Sequence, residues 1–167
     1  MLSGRPSAIG LRPIELIVAV MCIAAGSANA QSDHSIQWEG RADLFLASTT
    51  TVQGGAAAAW SVDRNFRLVV LGGAGSTFTS GVGQFSARLD LLGRFVLDPE
   101  RRQRWALYGT GGLSLRYAAA PDWRGALVVL AGLEGPKWGS WTPFVEAGYG
   151  GGVQIGFGLR RARIRGR

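Results

Sequence analysis

Residues Gln84-Phe85-Ser86-Ala87-Arg88-Leu89-Asp90-Leu91-Leu92-Gly93-Arg94-Phe95-Val96-Leu97 alternate between two kinds of side chain. The odd positions, Phe85, Ala87, Leu89, Leu91, Gly93, Phe95 and Leu97, are apolar or small. The even positions carry Gln84, Ser86, Arg88, Asp90 and Arg94, with Leu92 and Val96 as exceptions. Successive side chains of a strand point to opposite faces, so a period of two marks a strand whose faces meet different surroundings.

The same alternation recurs on both sides of this segment. Upstream, Trp38, Gly40, Ala42, Leu44 and Leu46 stand against Glu39, Arg41, Asp43 and Phe45. Downstream, Trp105, Leu107, Gly109, Gly111, Leu113, Leu115 and Tyr117 oppose Tyr108, Thr110, Ser114 and Arg116. Further on, Trp123, Leu127, Val129 and Leu133 oppose Arg124 and Glu134, and Trp141, Val145 and Tyr149 oppose Thr142 and Glu146. A last run sets Val153, Ile155, Phe157 and Leu159 against Gln154, Gly156, Gly158 and Arg160. Two weaker runs, 56–62 and 66–74, bring the total to eight candidate strands. Turn chemistry with charges separates some of them, at 63–65, 98–102 and 135–140. Small or Gly-rich stretches separate the rest, at 48–54, 75–81, 118–122 and 150–152. Connections this short pair consecutive strands antiparallel, as a meander. Eight strands of about ten residues close into a barrel filled by its own side chains.

The chain has 167 residues, 47% apolar and only 17% charged, with 26 glycines and no collagen-like period. That composition excludes a coiled coil, a charge-rich disordered tail protein and a disulfide-stapled mini-protein. Residues 1–30 read as an export signal. Arg5 and Arg12 precede the apolar run 14–25, and Ala28-Asn29-Ala30 supplies the small-residue cleavage pattern, with the cut expected after Ala30. Cys22 lies inside that run, so the exported chain would hold no cysteine, and neither a disulfide framework nor a thiolate metal site is available. The expected organisation is a signal at 1–30, a barrel at 31–160 and a basic tail at 161–167.

Alternation alone leaves open which face meets what. A soluble periplasmic barrel of lipocalin type would put the apolar face inside, around an apolar ligand. The tryptophans favour the opposite assignment. Trp38, Trp60, Trp105, Trp123 and Trp141 all fall on the apolar face, and four of them, all but Trp123, border the end with the charged turns. An aromatic girdle at a membrane interface accounts for that placement. The other face then becomes a lumen, with Glu39, Arg41, Asp43, Arg67, Arg88, Asp90, Arg94, Arg104, Arg116, Arg124, Glu134 and Glu146 obliged to pair inside it. The core of that expected network is Glu39, Arg41, Asp43, Arg88, Asp90, Arg94, Arg116, Arg124 and Glu146.

With its Ala-Asn-Ala signal, eight alternating strands, short turns and Gly- and aromatic-rich strands, the chain resembles the small bacterial outer-membrane β-barrel family, the OmpA-transmembrane-domain and OmpX-like group. The resemblance covers about residues 36 to 160. It implies an all-β, eight-stranded transmembrane barrel in the outer membrane of a Gram-negative envelope, with lipid as its principal partner. The chain departs from the family pattern in two places. Phe157 is followed by Gly158-Leu159 and a basic tail rather than closing the last strand, and the loops are shorter than in adhesin-like members.

Without residues 1–30 the chain carries 16 basic and 10 acidic residues, and five of the basic ones (Arg160, Arg161, Arg163, Arg165, Arg167) lie in its last eight positions. Such a tail is either a solvated end or a contact for anionic headgroups or a periplasmic polyanion. Nucleic acid is not an expected partner. The one histidine, His34, lies in Ser32-Asp33-His34-Ser35 before the first strand; a catalytic triad needs a histidine held against a serine by the fold, and a histidine in a leader segment reads as solvated. No catalytic, metal or cofactor site is expected. The glycine clusters at 72–75 and 148–152 precede no helix that could cradle a phosphate, and read as hairpin turns and close strand approach. Three functions remain: a closed, charge-paired structural barrel, a narrow pore using gaps at Gly112, Gly132, Gly156 and Gly158, or a soluble ligand-binding barrel.

Overall fold

The computed structural model describes residues 36–97, 105–118 and 122–161. The expected signal at 1–30, His34, Arg104 and the tail beyond Arg161 lie outside the described residues. The strands are β1 (Ile36–Leu46), β2 (Thr50–Ser61), β3 (Phe66–Thr79), β4 (Val82–Val96), β5 (Ala106–Ala118), β6 (Asp122–Glu134), β7 (Trp141–Tyr149) and β8 (Val153–Arg161). Each pairs antiparallel with its neighbours in chain order, and β1 pairs with β8 to close the barrel. No described helix is long and apolar enough to cross a membrane.

Two strands differ from the sequence expectation. Residues 48–54 and 75–81 are mostly strand rather than connection, since β2 starts at Thr50 and β3 runs to Thr79. The alternation there is written in Thr, Gln, Ser and Gly, which give little contrast between faces. Gln53 and Thr77 are nevertheless buried while Val52 is exposed, and the Thr51 and Thr77 hydroxyls meet at 2.8 Å. The β3–β4 connection shrinks to Ser80-Gly81, both at positive φ (50° and 83°), as a two-residue hairpin turn requires. The Gly72–Gly75 cluster therefore lies inside β3, not in a turn. A Cβ at Gly75 would stand 2.7 Å from Gln53 Cα, so this glycine permits close approach of β2 to β3.

Register fixes the geometry of closure. Successive partners from Glu134 run through Phe144, Gly158, Arg41, Gly55, Gly73, Arg88 and Arg116 to Arg124, ten residues from the start on the same strand. A stagger of this size in eight strands tilts them by about 40° and leaves an interior only side-chain wide.

Large apolar side chains face outward on every strand, among them Leu127 at 72% exposure, Val129 at 67% and Phe157 at 62%. This orientation overturns the soluble, ligand-binding alternative. A water-soluble barrel would not expose its apolar face all the way round. Trp38, Trp105 and Trp141 are exposed and Trp60 half-buried at the end that carries the termini, while Trp123 is exposed at the other end. Trp138, read in the sequence as a turn residue, is 70% exposed beside Trp141, with which it forms an isolated bridge. Outward-facing Phe85 and Tyr117 accompany Trp123, with ring centroids 6.5 and 5.3 Å apart in succession.

Glycine on the two faces makes a direct test. Gly132 is the register partner of Tyr108, and a Cβ there would lie 2.6 Å from the Tyr108 hydroxyl. Gly40 faces outward with nothing within 4 Å. Gly132→Ala should destabilise the barrel by about 1–3 kcal/mol, and Gly40→Ala by no more than about 0.5 kcal/mol. Both are read as shifts in the urea midpoint of the refolded protein.

Candidate functional site in the lumen

The side chains that the strands turn inward divide the lumen into two halves. Ala57, Ala59, Val69, Leu71, Leu92, Val128 and Leu130 form an apolar cluster. The sequence held a signal for it, because Leu92, Val96, Val128 and Leu130 share the parity of the polar residues on their strands. Against this cluster, β1, β4, β7 and β8, with Glu134 of β6 and Arg67 of β3, contribute a connected set of charges.

Glu39 accepts hydrogen bonds from both terminal nitrogens of Arg94 and from Arg160 Nε at 2.6 Å. Arg160 also pairs with Glu134 through Nη1. Glu146 accepts from Arg94 Nη2 at 3.2 Å and from the Tyr108 hydroxyl at 2.9 Å. Arg41 links the two halves of the set. It donates to Asp43 through Nε at 2.8 Å and Nη2 at 2.6 Å, and its Nη2 lies 2.8 Å from Glu146. Asp43 accepts further from Arg88 Nη2 and from Gln154 Nε2 at 3.2 Å. Arg88 Nη1 reaches Asp90 at 3.3 Å, and Asp90 accepts from the Ser114 hydroxyl at 2.6 Å.

The result is one chain of ion pairs, Glu134–Arg160–Glu39–Arg94–Glu146–Arg41–Asp43–Arg88–Asp90. Arg67 joins it at 3.7 Å from Glu134. Among the described residues five arginines balance five carboxylates in this set. Arg94 and Arg160 have no solvent exposure at all. Three inward aromatic rings fill the space between guanidiniums. Tyr108 lies under Arg94 and Arg160, Phe144 under Arg41 and Arg160, and Phe45 under Arg88 and Arg116, at 4.1 to 5.7 Å from the ring centroids. Pairing of this kind offsets the cost of taking charge out of water, which is several kcal/mol per unpaired ion.

Of the nine expected network residues, Glu39, Arg41, Asp43, Arg88, Asp90, Arg94 and Glu146 are buried and joined. Arg116 is half-buried towards the end opposite the termini, where it donates to Ser114 at 3.3 Å. Arg124 shares the inward parity and is exposed, on the stretch of β6 that runs past the end of β7. Arg160, set in the sequence on the polar face of the last strand and counted also among the basic residues near its end, is fully buried in the network. Its even parity with Gln154 and Gly158 was the available signal. The four glycines expected to leave gaps do not. A Cβ at Gly132 meets Tyr108, one at Gly158 meets Phe144, one at Gly156 meets Arg41 at 2.6 Å, and one at Gly112 meets the β4 backbone. Among the described residues no group of three or more His, Cys, Asp or Glu side chains is placed to hold a metal ion.

The family model described as Gram-negative porin matches residues 18–158. No curated protein matches the sequence. Among solved structures, Neisserial surface protein A is similar with a TM-score of 0.57 and 13% identity, over 79% of this chain and 100% of that one. The N-terminal β-barrel domain of Pseudomonas aeruginosa OprF is similar with a TM-score of 0.56 and 13% identity, over 75% of this chain and 95% of that one. The de novo designed barrel TMB2.3 is similar with a TM-score of 0.51 and 15% identity, over 81% of this chain and 100% of that one. At these identities the likeness is one of fold.

The network predicts a large, directional cost for breaking it. Glu39→Gln removes the charge shared by Arg94 and Arg160, and should destabilise the barrel by about 3–5 kcal/mol. Ser61→Ala, at the end of β2 and outside the network, should cost no more than about 0.5 kcal/mol. Equilibrium unfolding in urea with both variants checks the contrast.

Proposed function

The chain belongs to the Gram-negative porin family, and within it we propose that this protein is a closed, non-enzymatic outer-membrane barrel, an envelope scaffold rather than an open channel. The observation that carries this reading is the filling of the lumen: each of the four glycines that could open a path is occupied by a neighbour, and a neutral ion-pair chain crosses the interior. Moving an ion through it would mean breaking several buried pairs at once.

In this reading the outward apolar surface sits in lipid, with Trp38, Trp60, Trp105, Trp141 and the neighbouring Trp138 as the girdle at one interface and Phe85, Tyr117 and Trp123 at the other. The end that carries both termini faces the periplasm, because a meander inserted from that side carries its hairpin tips across and leaves its ends behind. Basic residues from Arg161 onward then meet anionic headgroups or a periplasmic polyanion.

Planar-bilayer recording of the refolded full chain tests the closed lumen. The wild type should give a flat baseline, and Arg94→Ala with Glu146→Ala, which empties the middle of the network without leaving a lone charge on either partner, should give discrete openings. Regular unitary steps from the wild type would instead support the narrow-pore reading.

A further inference from the structure

Among the described residues the outward face of the eight strands carries one charged side chain. It is Arg161, the last residue of β8, which shares the parity of Val153, Ile155, Phe157 and Leu159 and is exposed. Its neighbour Arg160 turns the other way, into the lumen. Every other outward position from β1 to β8 is uncharged. A cation on the lipid face of a barrel is costly at the middle of the membrane and costs little only near an interface. The place of Arg161 on that face therefore calls for an account.

Its neighbours are tryptophans. Arg161 is the register partner of Trp141, and Trp141 is bridged to Trp138. On the other side Arg160 pairs with Glu39, which sets Trp38, the adjoining residue of β1, beside Arg161. Directly opposed residues share a face and neighbouring strands lie about 4.8 Å apart. Trp138, Trp141, Arg161 and Trp38 thus form a short outward row, with indole on both sides of the guanidinium, and all three tryptophans are exposed. The turn that holds Trp138 is firmly built. Trp138 N–H donates to the Trp141 carbonyl at 2.7 Å, Trp141 N–H donates back at 3.0 Å, and Gly135 N–H donates to the Pro143 carbonyl at 2.8 Å. Lys137, immediately before Trp138, is exposed as well. Neither Arg161 nor Lys137 pairs with a carboxylate among the described residues. Glu39, Glu134 and Glu146, on the nearby strands, are held in the lumen network instead.

We propose that this row binds the headgroup of an anionic phospholipid, with Arg161 holding the phosphate, Lys137 as the second cation, and Trp38, Trp138 and Trp141 as apolar walls. A guanidinium presents two parallel N–H groups to two phosphate oxygens. Indole rings at the same level keep their apolar bodies against acyl chains and turn their N–H groups towards the headgroup. A zwitterionic headgroup would bring an ammonium to a place with two cations and no carboxylate, so the chemistry favours a headgroup of net negative charge. The site rests on the proposed reading that lipid covers the outward face, and it selects among the partners of the basic end. Arg161 lies within the tryptophan girdle, where a membrane lipid reaches it and a soluble polyanion does not.

The test is native mass spectrometry of the full chain refolded in detergent, with phosphatidylglycerol and phosphatidylethanolamine competing at equal concentration. The wild type should retain phosphatidylglycerol about tenfold or more over phosphatidylethanolamine. Lys137→Gln/Arg161→Gln should lower that ratio by about tenfold or more, at about fivefold for each cation. Arg165→Gln/Arg167→Gln, in the basic tail, should leave it unchanged. A mobility shift on boiling verifies that each variant has refolded, and if the first does not, Lys137→Gln alone, in the turn, should lower the ratio about fivefold. Equal retention of the two lipids by the wild type, an undiminished ratio in the Lys137 and Arg161 variants, or its loss in the tail variant overturns the site. Incorporation of the wild type into phosphatidylcholine vesicles checks the lipid-covered face apart from any headgroup. Bilayer recording reads the lumen independently: unitary steps would sink the closed barrel and leave the lipid site standing.

Discussion

A cylinder of eight strands with a ten-residue stagger has room inside for side chains and little else, and the other features of the molecule answer to that limit. Each inward position must either fill space or leave space for a neighbour. Gly132 lies under Tyr108, Gly158 lies against Phe144, and Gly156 faces Asp43 and Arg41. The inward charges cannot be hydrated in so narrow a space, so they pair. The pairing is spread over strands remote in sequence, as in the contact of Arg160 on β8 with Glu39 on β1 and Glu134 on β6.

Charges are not the only possible filling for such a lumen, since the half beside β2 and β3 uses Val69, Leu71, Leu92, Val128 and Leu130 instead. Replacing buried ion pairs by apolar groups of similar volume is often neutral or stabilising, so stability alone does not account for ten linked charges. Specificity does. A strand apolar on both faces could slip by one residue without penalty, whereas a slip that carries Arg94 or Asp43 into lipid has a prohibitive cost. The strand that lacks charge, β2, is also the one on which alternation is hardest to read. There the register is held by packing of Ala57 and Ala59 and by the Thr51–Thr77 and Gln53–Ser86 hydrogen bonds.

This division explains how much was legible in the sequence. Strands that carry charge against bulky apolar residues, β4 above all, announce both their extent and their faces, and Glu39, Arg41, Asp43, Arg88, Asp90, Arg94 and Glu146 are buried on the face that parity assigns them. What was not legible depends on three-dimensional neighbours. The ends of β2 and β3 are written in Thr, Ser and Gly, whose contrast is weak. Arg160 is adjacent in sequence to a basic tail, and only its parity distinguishes it. Arg124 has the inward parity and is exposed, at a height on β6 beyond the end of β7. Trp138 lies in a turn, where a period of two does not apply.

Height is a property of the stagger and of strand length together. A register row climbs ten residues in one circuit, so strands end level only if their lengths compensate for the climb. They do at the end with the termini. At the other end β3 and β4 have 14 and 15 residues while β7 and β8 have nine each. The short strands fall where the row is lowest, and the climb adds to the shortfall instead of offsetting it. The notch in the wall beside upper β6, where β7 stops at Tyr149, is thus a consequence of two short strands at one place in a sloping lattice.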